Sequence, residues 1–340
     1  MKKWGLIAAS AAAISLLLSA APIYAVDQPA NDETQNAQSP SVKMDPTVQL
    51  RLTEVLYKLA GKQAIEFTSV DSSHEDWEVN GILGGKTKGE FIQRYNSAKG
   101  RVESTIIIYK QNDLDNVMDA ALRGKMSSFI KTFGGSQPFQ SDRFWRVYSP
   151  YQDNIPRNYW VFWGIDQSLY IDLDNNNNIS ASVAYPLKKV PAQLNNTANR
   201  SIKTLGISII KPFNNVQRQK DGDKEFVWKY QDNDDVNHVI IGVQSGKVWE
   251  VENLSGMDWA NDQDFAKTFA KPKLSKAQAI SAAKPKVKSL FGINLDGYSV
   301  QIKQNEYTFS KKGALSIAGK INKQGKFYSL QLIPANGVRN

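Results

Sequence analysis

Histidine, paired carboxylates and clustered lysines are the side chains here with chemistry to offer, and none completes a known constellation. The chain has two histidines, His74 and His238, and no cysteine. Neither histidine has a second histidine nearby, so metal-ligand spacing is missing. His74 lies in the polar run SSHEDW beside Glu75 and Asp76 and reads as a solvated loop residue. His238 opens an apolar run and reads as the end of a strand. No G-x-S-x-G elbow, H-E-x-x-H pair, Walker loop or G-x-G-x-x-G turn occurs. A Ser-His-Asp triad or a glycosidase carboxylate pair stays open, because the fold alone sets those distances. Asp172, Asp174 and Asn176 resemble the first half of a calcium loop, with oxygen donors at alternate positions. The loop's glycine position holds Asn177 and its closing carboxylate position holds Val183. Asparagine tolerates left-handed turns, so a hairpin turn accounts for the segment better. The run Asp232-Asn-Asp-Asp235 is a similar loop. Seven lysines, Lys267, Lys271, Lys273, Lys276, Lys284, Lys286 and Lys288, fall between Phe265 and Leu295 without an acid. They offer a cationic face for a polyanion or an acidic partner; the plainer reading is a solvated helix surface. Catalytic, cofactor and metal residues are therefore not assigned, and no cofactor is expected.

The elements that hold these groups repeat. Val48, Leu52, Val55, Leu56 and Leu59 share one helical face after Asp45-Pro46, and Gly61 closes the helix. A second helix is expected from Leu114 to Phe133 before Gly134, and a third from Ala192 to Leu205 before Gly206. A fourth starts at Ser275, whose capping box is completed by Gln278, and ends at Gly292; Pro285 should kink or interrupt it. Strand signals follow each glycine. The last hairpin of each set reads IQRYNSAKGRVESTIII, LYIDLDNNNNISASVAY, VIIGVQSGKVWEVENL and GKINKQGKFYSLQLI. The first apolar residues after their turns, Val102, Ile179, Val248 and Phe327, are 77, 69 and 79 residues apart. The closing glycines are 73, 72 and 86 apart. Two landmarks with one rough period predict an α+β chain of four tandem units. Each would be an antiparallel sheet covered by one helix. Because so small a sheet has a small core, the units are expected to pair into two domains, 45–189 and 190–340. Trp160, Phe162, Trp163, Trp228 and Trp249 are the expected core and interface fillers; a sugar-stacking platform is the alternative use of the aromatics.

Composition narrows the setting. Residues 1–25 carry Lys2, Lys3, an uncharged apolar run and a small-residue end at Ala25, as a secretory signal does. Cleavage after Ala25 is expected, with Ala20 and Ala21 as alternative sites and an uncleaved anchor as the other reading. Residues 26–44 are polar and read as a flexible linker. No later stretch is apolar for long enough to span a bilayer. Without cysteine, disulfides and thiolate metal sites are excluded. The net charge of +9 suits an exported protein that meets anionic lipid, anionic wall polymer or acidic proteins; nucleic acid is not expected.

The hairpin SGKVWEVENL resembles the closing hairpin of PepSY-type domains. Leu274 to Gln301, LSKAQAISAAKPKVKSLFGINLDGYSVQ, is similar to their opening helix and first strand. The likeness extends over 190–334 to the YcdB/YcdC repeated domain of exported bacterial proteins, and reaches 45–189 only through the repeat. That resemblance implies a non-catalytic role: PepSY domains occur in propeptides of secreted metallopeptidases and have been proposed to restrain peptidases. The function expected is a secreted binding or regulatory module, extracellular or wall-associated, that modulates an exported peptidase or wall hydrolase. The alternatives are a structural protein binding cell wall or anionic polymer, and an unrecognised hydrolase.

Overall fold

The computed structural model describes residues 42–85, 87–134, 139–153 and 156–340. The expected signal and nearly all of the expected linker lie outside these. Sixteen strands form one sheet. They are β1 (Ala64–Asp71), β2 (Asp76–Gly84), β3 (Gly89–Asn96), β4 (Arg101–Lys110), β5 (Arg143–Tyr148), β6 (Asn158–Gly164), β7 (Gln167–Asp172) and β8 (Asn178–Tyr185). Then come β9 (Asn215–Asp221), β10 (Glu225–Gln231), β11 (Asn237–Gly242), β12 (Val248–Asn253), β13 (Ser299–Lys303), β14 (Glu306–Ser310), β15 (Ser316–Ile321) and β16 (Phe327–Ile333). Among the described residues the helices are α1 (Pro46–Ala60), α2 (Leu114–Val117), α3 (Ala120–Phe133), α4 (Ala192–Thr204), α5 (Asp262–Thr268) and α6 (Lys276–Phe291). In space the strands follow in order from β1 to β12, then β16, β15, β14 and β13.

This overturns the expected α+β arrangement of small helix-covered sheets paired into domains. The chain is mostly β, and its strands join in one antiparallel sheet. The physical reason lies at the edges. A four-stranded sheet leaves a row of unpaired backbone N–H and C=O groups on each side. Here β4 pairs with β5, β8 with β9 and β12 with β16, so those rows are satisfied within the chain. The final strands enter through β16, which leaves β13 last in the strand order.

By compactness the chain divides into two units. One holds the described residues up to Ser127 with Ser141–Trp163 and Tyr170–Asn177; the other holds Ser128–Gln140, Gly164–Leu169 and Asn178–Asn340. In the first, α1 begins where Asp45 Oδ1 accepts from the Thr47 and Val48 amides at 2.8 and 3.3 Å, and Gly61 ends it at φ +75°. Its Leu52 and Leu56 are fully buried, each contributing about 2–3 kcal/mol. Val48 and Leu52 pack on Val79, Tyr95 and Val102. Gln93, from the same sheet face, donates to the Leu52 carbonyl at 3.2 Å and to Thr105 Oγ1 at 3.0 Å. Adjacent strand residues point to opposite faces. Ile106, next to Thr105, therefore joins a different cluster with Val147, Val161, Tyr159, Tyr170, Trp145 and Trp163. The second expected helix is broken at Met118, which is extended and buried. Asp119 then starts α3 by accepting from the Leu122 amide at 2.8 Å.

In the second unit α4 packs on β11 and β12, and α6 on β12, β13 and β16. Tyr230 donates its hydroxyl to Asn195 Oδ1 of α4 at 3.1 Å. The Tyr307 hydroxyl accepts from the Leu274 amide at 3.0 Å and donates to the Leu274 carbonyl at 3.2 Å, which anchors the entry to α6. The Ser275–Gln278 capping box forms. Helix α6 runs through Pro285 without interruption. Pro285 and Ser281, whose carbonyl it deprives of a donor, are both exposed, so water can serve that carbonyl. Of the expected core fillers, Trp160, Phe162, Trp228 and Trp249 are buried, while Trp163 is half-buried.

Candidate functional site

Strand register sorts the second unit into two rows of opposite character. Tyr230, Val239, Val251, Leu330 and Tyr307 lie side by side on the helix-covered face and are fully buried. Gly319 completes that row, and a Cβ there would collide with Phe327 and Leu330. One residue along each strand, on the other face, the row reads Gln231, His238, Glu252, Ser329, Lys320, Glu306 and Lys303. Glu250 and Gln331 oppose each other two residues further along the same face. The same alternation that builds the core thus builds a charged plate behind it.

The plate is tied together by ion pairs. His238 Nε2 lies 3.1 Å from Glu250 Oε1, and its Nδ1 lies 3.6 Å from Glu252 Oε2. Arg339 donates through Nη1 to Glu250 Oε2 at 3.1 Å and through Nη2 to Glu225. Gln331 Nε2 donates to Glu250 Oε2 at 3.1 Å, and Lys320 Nζ lies 3.8 Å from Glu252 Oε1. These side chains are 12–19% exposed except Lys320 at 48%, so water screens most of the array weakly. With both ring nitrogens facing carboxylates, His238 is best satisfied as the imidazolium, which donates from each. Burial opposes that charge, but the Glu250 hydrogen bond and the charges of Glu250 and Glu252 outweigh it and raise the His238 pKa. Burial likewise works to raise the Glu250 carboxyl, and the His238 bond with the His238 and Arg339 charges wins and lowers it. For Glu225, burial prevails over Arg339 and the carboxyl is raised. Burial lowers the Lys229 ammonium.

Arg339 reaches the plate because its backbone is held. Its amide donates to the Lys224 carbonyl and its carbonyl accepts from the Phe226 amide, both at 2.8 Å. Asn340 Oδ1 accepts from the Gln244 amide at 3.3 Å, and a Cβ at Gly242 would collide with the Asn340 backbone.

The residues singled out in the sequence fall elsewhere, apart from His238. His74 is exposed between β1 and β2. Asp172, Asp174 and Asn176 span the β7–β8 turn, where Asn176 and Asn177 take φ +51° and +54°. Asp172 Oδ1 accepts from the Asp174 amide at 3.0 Å, and Lys125 Nζ donates to the Asn176 and Asn177 carbonyls at 2.9 and 2.8 Å. An ammonium therefore already sits against this turn, on the carbonyls of two of its asparagines. In the other acidic loop, buried Asp232 accepts from the amides of Asp234, Val236 and Asn237 at 2.8, 3.1 and 2.6 Å, a turn scaffold. Among the described residues no group of three or more His, Asp or Glu side chains is placed to hold a metal ion. The lysine run is divided in use. Lys286 Nζ donates to the Thr204 and Leu205 carbonyls at 3.0 and 2.7 Å, closing α4, and Lys284 pairs with Asp296 at 2.6 Å. Lys267, Lys271, Lys273, Lys276 and Lys288 are exposed. Trp145, Trp163 and Tyr170 pack on each other, with centroids 6.2 and 5.6 Å apart, and burial pushes the Tyr170 phenol up.

Sequence reading passed over Glu225, Glu250, Glu252, Lys320 and Arg339. A signal existed for two of them: in VWEVEN the glutamates alternate with apolar residues, which places both on one face of a strand. No family model, no curated protein and no solved structure matches the chain. Among the described residues no helix is long and apolar enough to cross a membrane.

Proposed function

We propose that this chain is a secreted, non-enzymatic module that binds another exported protein, a peptidase or wall hydrolase, and restrains it. The observation that carries this is the charged plate on β10–β12, β15 and β16. Its carboxylates are engaged by His238, Arg339 and Lys320, an arrangement suited to holding a fixed pattern of charge and poorly suited to turnover. Flanking Gln217, Gln219, Gln231 and Gln331 add donors and acceptors without titratable chemistry. Complementary charge across such a surface gives specificity and on-rate. The test incubates the chain with purified peptidases and wall hydrolases from the same culture fluid. Binding and inhibition are expected for one of them, with both weakened by the surface charge reversal Lys320→Glu. Turnover of a peptide or glycan by the chain alone, or inhibition of none, would overturn the proposal.

The exposed lysines around α6 favour a second reading, attachment to anionic wall polymer. Sedimentation with purified walls should then fall as salt rises, and retention unaffected by salt would refute it.

A further inference from the structure

The two edges of the sheet carry opposite charge. Strands β1 and β2 with their turn, residues 64–84, contain Glu66, Asp71, Glu75, Asp76 and Glu78 and no lysine or arginine; Lys62 precedes them and Lys86 follows. Glu66, Asp71, Glu75 and Asp76 are exposed. At the other edge, residues 296–312 contain Lys303, Lys311 and Lys312, all exposed, against Asp296, which pairs with Lys284, and Glu306.

Hydrogen-bonding groups are available at β13. It turns into β14 through the two-residue loop Gln304–Asn305, so Lys303 and Glu306 form the bonded pair that closes the hairpin. Bonded and non-bonded pairs alternate along an antiparallel ladder. Ser299 and Gln301 therefore also bond to β14, and the N–H and C=O groups of Val300 and Ile302 point away from the sheet. At β1 the ladder with β2 shifts register between Phe67 and Ser69, which leaves Ala64–Phe67 as a regular edge of a length comparable to β13.

We infer that copies of this chain associate head to tail, the β1 edge of one copy adding to the β13 edge of the next. Strand addition supplies main-chain hydrogen bonds, and the acidic edge meeting the basic edge selects this pairing over edge-to-like-edge contact. The two surfaces differ, so the contact is heterologous and each pair of copies keeps a free edge of either kind for a further copy. A short added ladder makes association weak and concentration-dependent. This inference does not rest on the proposed partner: it takes from the charged row only its last residue, Lys303, and nothing from the lysines of α6.

Sedimentation velocity on the full chain tests it. In low salt the average mass should rise with concentration past the dimer, and high salt should reverse it. Lys303→Glu and Glu66→Lys should each raise the apparent Kd about tenfold, replacing an attraction with a repulsion. An equal mixture of the two variants should recover association, because each restores a complementary contact with the other. Ile302→Pro, which removes an outward N–H together with a half-buried side chain, should also block it, provided that the variant's urea midpoint shows it folded. A monomer at all concentrations in low salt would overturn the inference and show that the lysine, the short strand and the bulge blunt these edges. Charge variants that associate like the natural chain, or a mixture that stays monomeric, would overturn it equally.

Discussion

Glu250→Gln removes one charge from the centre of the plate and leaves its shape. In the natural chain the Glu250 carboxylate takes His238 at 3.1 Å on one oxygen, and Arg339 and Gln331 at 3.1 Å on the other. Hydrogen bonds to charged groups each contribute about 1.5–3 kcal/mol. The amide oxygen keeps one acceptor, so the net loss should be about 2–4 kcal/mol in the second unit. The loss also depends on pH. Folding holds the His238 proton more tightly than the unfolded chain does. Its contribution is therefore complete below the ordinary imidazole pKa near 6.5 and fades as pH rises through the raised folded value. Without the Glu250 charge that folded value should drop. The chain has two histidines, and His238→Gln assigns the His238 imidazole signal in the proton NMR spectrum. His238 should titrate above the ordinary value in the natural chain and lower in Glu250→Gln. Urea midpoints should separate the two proteins most at low pH within the imidazole range. A natural His238 titrating at or below the ordinary value, or one indifferent to Glu250→Gln, would refute the reasoning.

Two further substitutions probe the scaffold. A Cβ at Gly81 would collide with the Phe91 ring and the Glu66 carbonyl, so Gly81→Ala should destabilise the first unit by about 1–3 kcal/mol, read by urea unfolding. Lys286→Met keeps the apolar stem but leaves the Thr204 and Leu205 carbonyls without their ammonium donor; hydrogen exchange in the last turn of α4 should rise, with about 1–2 kcal/mol lost.

Local rules made much of the scaffold legible. The Asp45 cap, the Ser275–Gln278 box and the four closing glycines, all with positive φ, are set by residues within a few positions of one another. Strands with apolar alternation were equally visible. Strands β1 and β9 were not, because AIEFTSVD and NVQRQKD put polar or charged side chains on an exposed edge and on the polar face. The merging of strand sets was invisible for a different reason. Pairing of β4 with β5 or β12 with β16 joins residues far apart in sequence, and no local pattern records which strand a distant edge will choose. The site suffered the same way. Glu250 and His238 meet only through the β11–β12 register, and Arg339 arrives from 89 residues further along the chain.

The single sheet, entered by its last four strands through β16, is what gives the plate and both edges their meaning. The chain has no cysteine, so a pair introduced at Glu252 and Ser329, opposed in the register of β12 and β16, reports on it directly. Glu252→Cys with Ser329→Cys should form an intrachain disulfide under mild oxidation, while Glu252→Cys with Gln301→Cys should keep free thiols. The reverse outcome would place β13 beside β12 and contradict the account.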